Sequence, residues 1–245
     1  MTAERTDILF NWSSGKDSAL ALHRLLQNDD CHVTQLLTTV SEKYRRVSQH
    51  GVRVELLEKQ AECLRLPLKK VWLPDDLSME RYGSIMKAAL ADLRVGGISY
   101  AAFGDILLEE LRSYREEKLQ EAGLNALFPL WMNDTAALAR ECIELGFKAR
   151  VVCVDGRVLD RSFAGREYDA AFLDELPEGV DPCGEYGEFH TFVYDGPIFD
   201  MPIPFEPGEI VYREIKSGNP ANDTCGPGPH SKAEGGLWFS DLMPK

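Results

Sequence analysis

The sequence predicts an α/β fold, a doubly wound parallel sheet followed by a smaller C-terminal α+β region. Three observations carry this. Residues 7–154 alternate short apolar runs with longer stretches of helical spacing, the pattern of strands joined by crossover helices. At Asp155 the rhythm breaks, and Gly, Pro and acidic residues take over. A small polar turn, Ser13-Ser14-Gly15-Lys16-Asp17-Ser18, lies between the first strand and the first helix, where folds of this class bind phosphates.

The first strand is the apolar run at 8–12, and the helix after it carries Ala19, Leu20, Ala21, Leu22, Leu25 and Leu26. A second strand at 33–40 ends in a polar loop at 41–49, before a helix at 52–64 and a strand at 69–73. The helix at 78–94 is closed by Gly96-Gly97. A strand at 98–103, a helix at 109–122 and a short strand at 127–130 follow. Asp134 is the expected N-cap of a helix at 134–145, Gly146 its stop, and a strand at 149–154 ends the alternation. Beyond it, 192–194, 198–199 and 210–212 read as short strands. Residues 217–245, rich in Gly, Pro, Asn and Ser, read as a loosely ordered tail that docks through Leu237, Trp238 and Phe239. The expected division is 1–154, 155–216 and 217–245.

Composition narrows the function. The 245 residues carry 27 basic and 40 acidic side chains, a formal net charge of −13, which disfavours general binding of nucleic acid and requires any nucleotide to be attracted locally. Cys31, Cys63, Cys142, Cys153, Cys183 and Cys225 form no Cys-x-x-Cys pair and no disulfide framework. With no leader-like N-terminus and no run of membrane-spanning length, the expectation is a soluble cytoplasmic protein, and for such enzymes a homodimer is the ordinary prior.

In the turn, unpaired backbone N–H groups and the helix dipole converge on one point. The hydroxyls of Ser13, Ser14 and Ser18 add donors and Lys16 a cation. The carboxylate of Asp17 makes sense beside an anion once Mg2+ joins the site. The turn is neither a Walker loop, since Phe10 and Asp17 occupy the places of Gly and Ser/Thr, nor a Rossmann fingerprint, since it offers Gly15 alone. The plain alternative is an ordinary strand-to-helix turn with Ser18 as cap.

The turn resembles the Ser-Gly-Gly-x-Asp-Ser pyrophosphate loop of ATP pyrophosphatases. With His50-Gly51-Val52-Arg53, Phe103-Gly104-Asp105-Ile106, Phe128-Pro129-Leu130-Trp131 and the run from Cys183 to Thr191, the chain is similar to the diphthine-ammonia ligase family and its prokaryotic, single-module members. The resemblance implies an adenine nucleotide alpha hydrolase-like sheet and ATP as the bound nucleotide. It has one departure: Ser14 stands where the loop has its first Gly, so the turn is expected to hold with a negative φ at Ser14 and to bind phosphate more weakly or slightly displaced.

The first and fourth strands flank the point where strand order reverses, which brings Gly104 and Asp105 beside the phosphate turn. Asp105 is then a magnesium ligand with Asp17, an orienter of a substrate amine, or a simple turn residue; Gly104 is expected to let the backbone approach a ligand. By the same resemblance the backbone at Thr38 and Thr39 meets the adenine. Arg112 and Arg115 share a helix face among glutamates, a solvated face or, under the resemblance, a substrate or phosphate contact at Arg115. In the later cluster, Gly184 and Gly187 mark a tight path, Glu185 and Glu188 offer two carboxylates, His190 can move a proton near neutral pH, and Thr191 closes the run; an acidic turn entering a strand is the alternative. The implied activity is ATP-dependent amide formation, with Lys16, Asp17, Asp105, Glu188 and His190 catalytic. A substrate carboxylate is adenylated, pyrophosphate leaves, and ammonia displaces AMP. The implied partner is the diphthine side chain of elongation factor 2, with Glu185, Glu188 and Trp131 against its quaternary ammonium. Thiolation of tRNA and a non-catalytic ATP or AMP sensor are the alternatives.

Overall fold

The computed structural model describes residues 5–75, 77–214 and 235–245. Its first sheet holds β1 (Thr6–Asn11), β2 (Cys31–Ser41), β4 (Leu68–Leu73), β5 (Tyr100–Ala102) and β6 (Asn125–Leu127), all parallel, in the order β4-β2-β1-β5-β6. The two-residue β3 (Arg46–Val47) pairs antiparallel with the end of β2, inside the stretch expected to be a polar loop. Helices α1 (Lys16–Leu26), α2 (Val54–Leu64), α3 (Met79–Val95), α4 (Glu109–Glu121) and α5 (Thr135–Glu144) follow the expected alternation. Side chains alternate between two cores, as a sheet covered on both faces requires: Ile8, Phe10 and Trp12 enter one with α1 and α2, and Leu9 enters the other with Leu90, Leu93 and Leu119 of α3 and α4. The sheet is the doubly wound one the sequence predicts.

The second sheet is antiparallel, in the order β8-β7-β10-β9, from β7 (Lys148–Asp155), β8 (Phe189–Asp195), β9 (Phe205–Glu214) and β10 (Gly236–Pro244), with the short helix α6 (Ala170–Asp174) against it. Three expectations are corrected. The strand at 149–154 belongs to this second sheet, because a fully apolar run satisfies either sheet and its register with β8 decides. Ile198 and Phe199 lie in a turn after Gly196 and Pro197, closed by the bond from the Phe199 N–H to the Gly196 carbonyl. Within the expected loose tail, 236–244 is a strand paired with β9 along its length and with β7 at 237–239; residues 217–234 lie outside the described set. Leu237, Trp238 and Phe239 do dock, by pairing with Asp155, Val154 and Cys153. No helix among the described residues is long and apolar enough to cross a membrane.

Candidate functional site

The strand order reverses between β1 and β5, and the loops leaving these strands form the candidate site. The Asn11 amide donates to the Ala102 carbonyl across the gap, and the Thr38 hydroxyl donates to the Trp12 carbonyl as the chain leaves β1. The Thr39 carbonyl is taken by the Ser48 N–H. The turn is built from inside. Ser13 Oγ donates to Ser18 Oγ, which donates to the Gly15 carbonyl, and the Gly15 N–H faces Ser13 Oγ at 3.3 Å. Ser14 adopts φ +73°, the reverse of the negative angle expected for it. Its carbonyl is gripped by the Val193 N–H at 2.9 Å and by Gln60 Nε2 at 3.1 Å, and these two bonds hold the peptide in the glycine-like geometry. Because C=O and N–H point oppositely across a trans peptide, fixing the Ser14 carbonyl toward β8 turns the Gly15 N–H away from it, into the turn. Ser14 Oγ is fully buried and finds no hydrogen-bond partner.

Lys16 does not project as a free cation, which corrects its expected role. Its side chain is 2% exposed, its ammonium lies 2.8 Å from Asp17 Oδ1 and 2.5 Å from the Cys183 carbonyl, and it faces the rings of Tyr168 and Phe189 at 5.2 and 5.5 Å. Burial pulls the ammonium toward neutrality, but Asp17 and Cys183 outweigh this and keep it charged. Lys16 therefore ties α1 to the segment carrying Cys183. Gly104 is also corrected: a Cβ there would stand 2.9 Å from the backbone of Asp17 and Ser18, so its close approach is to α1 rather than to a ligand.

The segment from Asp181 to Thr191 lies over both helices. The Thr191 hydroxyl accepts from the Lys16 N–H at 3.0 Å, meeting one orphan donor of α1. Glu185 Oε1 accepts from the N–H groups of Ile106, Leu107 and Leu108, capping α4, which has no side-chain cap of its own. Burial, with the charges of Asp17 and Asp105, pushes the Glu185 carboxyl up to about 7 against the pull of those N–H groups. Glu188 is turned inward and buried: its two oxygens accept from the N–H groups of Asp181 and Tyr186, so it shapes the loop from within instead of facing a reactant or a substrate cation, a correction to both of its expected roles. Gly184 and Gly187 adopt φ +68° and +87°, the tight path expected of them.

His190 stacks on His50 at 4.6 Å between ring centres, and His50 bonds to the Thr191 carbonyl at 3.1 Å. Burial and the Lys16 charge push both imidazoles down, His50 to about 4 and His190, which also faces His50, well below its ordinary value. His190 is thus a neutral imidazole near pH 7 and not a group in mid-titration, a correction that follows from its burial. Asp105 lies 3.1 Å from Arg115, off the hydrogen-bonding direction, and burial and the charge of Asp17 raise its carboxyl. Arg115 also stacks over Phe103 at 4.3 Å, and Arg112 covers Trp131 at 4.6 Å, so in this structure the Trp131 face holds a protein cation where a substrate ammonium was expected.

Residues 6–126 match the family model described as the diphthamide synthase N-terminal domain, and residues 134–218 match that of the diphthamide synthase C-terminal domain. A Homo sapiens protein named diphthine–ammonia ligase is 32% identical over 198 residues, 74% of this chain and 71% of its own length. The chain belongs to the diphthine–ammonia ligase family. The Danio rerio protein of the same name is 32% identical over 145 residues, 56% of this chain and 54% of that relative, so the match spans about half the zebrafish protein. Among solved structures, a Methanocaldococcus jannaschii chain described as a "predicted subunit of tRNA methyltransferase" aligns over 77% of this chain and 96% of its own at 19% identity, with a TM-score of 0.44.

For this diphthine–ammonia ligase family member, sequence reasoning missed three supporting residues. Gln60, fully buried on α2, donates to the Ser14 and Val193 carbonyls and accepts from Trp12 Nε1. A glutamine on the apolar face of an amphipathic helix was the available signal. Asp181 accepts from the N–H groups of Cys183 and Glu185 and from the Thr135 hydroxyl, holding the loop against α5. His50 belongs to the His50-to-Arg53 motif, but its partner His190 is remote in sequence, and nothing local announces the stack.

Proposed function

We propose that the chain is an ATP-dependent, AMP-forming ligase that converts a diphthine-type carboxylate to its amide with ammonia. The observation that carries this is the placement of the Ser13-to-Ser18 turn at the N-terminus of α1, at the point where the strand order reverses, beneath the Cys183–Thr191 segment of the second region. The phosphates of ATP bind there to the N–H groups of the turn and to Ser13 and Ser18, with the adenine toward the ends of β1 and β2 near Thr38 and Thr39. The acceptor carboxylate enters from the side of Glu185, Gly184, Arg115 and Trp131; a quaternary ammonium on it displaces Arg112 from the indole. The carboxylate oxygen attacks the α-phosphorus and the bond to the β-phosphate breaks. Fixed N–H dipoles of the turn meet the charge of the departing pyrophosphate with little reorganisation. Ammonia then attacks the acyl carbon, AMP leaves, and the proton released from nitrogen passes to solvent, because burial leaves the His190 imidazole a weak base.

Asp17 and Asp105 fit Mg2+ by their chemistry: they are hard oxygen donors, and burial pushes both carboxyls up, so a bound cation relieves both. Among the described residues no three His, Cys, Asp or Glu side chains gather where they could hold a metal ion, so the proposed magnesium rests on Asp17 and Asp105 with phosphate oxygens. When bound, the ion neutralises phosphate charge. The test is to incubate the chain with ATP, Mg2+, ammonium and diphthine-bearing elongation factor 2, following AMP, pyrophosphate and the mass of the acceptor. Acceptor-dependent AMP together with amide formation is the expected result. ATP binding without turnover, or AMP release that ignores the acceptor but responds to tRNA, overturns the proposal.

A further inference from the structure

The last strand reaches the site through a part of the chain that the chemistry above does not use. Asp241, on β10, accepts from Arg46 at 2.8 Å and from Arg53 at 3.1 and 2.6 Å. Burial alone would raise this carboxyl, but the two guanidiniums hold it down at about 2, so the cluster stays charged. Arg46 and Arg53 bracket a tight loop. They form a β-bridge with each other, Val47 and Val52 are bonded inside it, and Arg46 also donates to the Gly51 carbonyl at 2.7 Å. Gly51 sits at φ +70° against the ring of Phe239, two residues before Asp241 on the same strand. Two residues of β10 thus grip this loop at both ends and at its tip.

The residue beside that tip is His50. Its ring stacks on His190, bonds to the Thr191 carbonyl and lies so near Gly15 that a Cβ on Gly15 would stand 2.8 Å from His50 Cε1. We propose that Asp241 is a positioning residue for the phosphate turn: through Arg46 and Arg53 it holds His50 against Gly15, so that the C-terminal strand sets the geometry in which the turn meets ATP. This rests on the reading of the Ser13-to-Ser18 turn as the phosphate site. A displacement of about 1 Å at such a turn is enough to weaken binding or turnover by a large factor.

A double-mutant cycle in the full chain separates positioning from a merely structural role. ATP dissociation constants are measured by calorimetry in the presence of Mg2+ for the parent, Asp241→Asn, His50→Ala and the double variant, with circular dichroism confirming the fold. Asp241→Asn is expected to weaken ATP binding about tenfold in the parent and by less than about twofold once His50 is already alanine. Equal losses in both backgrounds, or no loss in either, overturn the proposal. Arg53→Gln, crossed with His50→Ala in the same way, supplies the cycle should Asp241→Asn not fold. A parent chain that binds neither ATP nor pyrophosphate overturns the phosphate-site reading instead.

Discussion

At Ser14 a side chain is held where the backbone favours none. The left-handed region costs a non-glycine residue about 1–2 kcal/mol, and a buried hydroxyl with no partner adds about 1–3 kcal/mol. Glycine returns about 0.4–1 kcal/mol of this through the greater freedom of the unfolded chain. Ser14→Gly is therefore expected to stabilise the protein by roughly 1 kcal/mol or more in urea unfolding while keeping ATP affinity; a loss of stability would overturn the account of Ser14 as a strained residue. Glu185 gives a prediction with a defined sign. Its folded pKa of about 7 lies above its unfolded value, so the stability it contributes is present below about pH 4.5 and is lost as pH rises through 7. Glu185→Gln keeps an acceptor for the Ile106, Leu107 and Leu108 N–H groups at the entry to α4 without the charge. Unfolding free energies of variant and parent should agree near pH 4.5 and diverge toward pH 8, the variant being more stable by at most about 3 kcal/mol. A difference that stays constant with pH would remove the buried-carboxylate account.

At the scale of elements, the phosphate turn is held by α2 and β8 as much as by β1 and α1. Gln60→Leu preserves the apolar helix face but strips the Trp12 N–H and the Val193 carbonyl of their partner and halves the grip on Ser14. The expected cost is about 2–5 kcal/mol, read as a fall in the denaturant midpoint, with ATP affinity falling alongside it. A drop in stability with affinity intact would show that the turn keeps its shape unaided. The division between what the sequence disclosed and what it concealed follows from the range of the interactions. Local patterns were enough for the parallel strands, the strand-to-helix turn at 13–18 and the Asp134 cap, whose oxygen accepts from Ala137 as expected. Glu185 could not be read as the cap of α4, because it lies 77 residues from Leu108 in the chain. The burial of Lys16 likewise depends on Tyr168, Cys183 and Phe189, all brought in by the second region. The strand β10 was hidden by the Gly- and Pro-rich stretch ahead of it, although the aromatic-rich run Leu237-Trp238-Phe239 has strand propensity once a partner is known.

Over the whole molecule, 27 basic residues face 40 acidic ones, and the site shares the imbalance. Lys16 is spent on Asp17, Arg115 on Asp105, and Glu185 adds an anion as pH rises. Under the proposed function the ligand is magnesium-bound ATP, itself an anion, so at low ionic strength the protein's field should repel it. Salt screens this repulsion, since the Debye length shrinks from about 30 Å at 0.01 M to about 8 Å at 0.15 M, less than the width of the fold. Stopped-flow association of ATP at fixed, saturating Mg2+ should therefore accelerate severalfold as monovalent salt rises over that range, the reverse of the slowing seen where opposite charges steer an encounter. A cationic acceptor should show the opposite slope, because the field that repels the nucleotide draws in a quaternary ammonium. If ATP association slowed with salt, the helix dipole of α1 and the bound magnesium would dominate the field at the mouth, and the net charge would have no bearing on nucleotide capture.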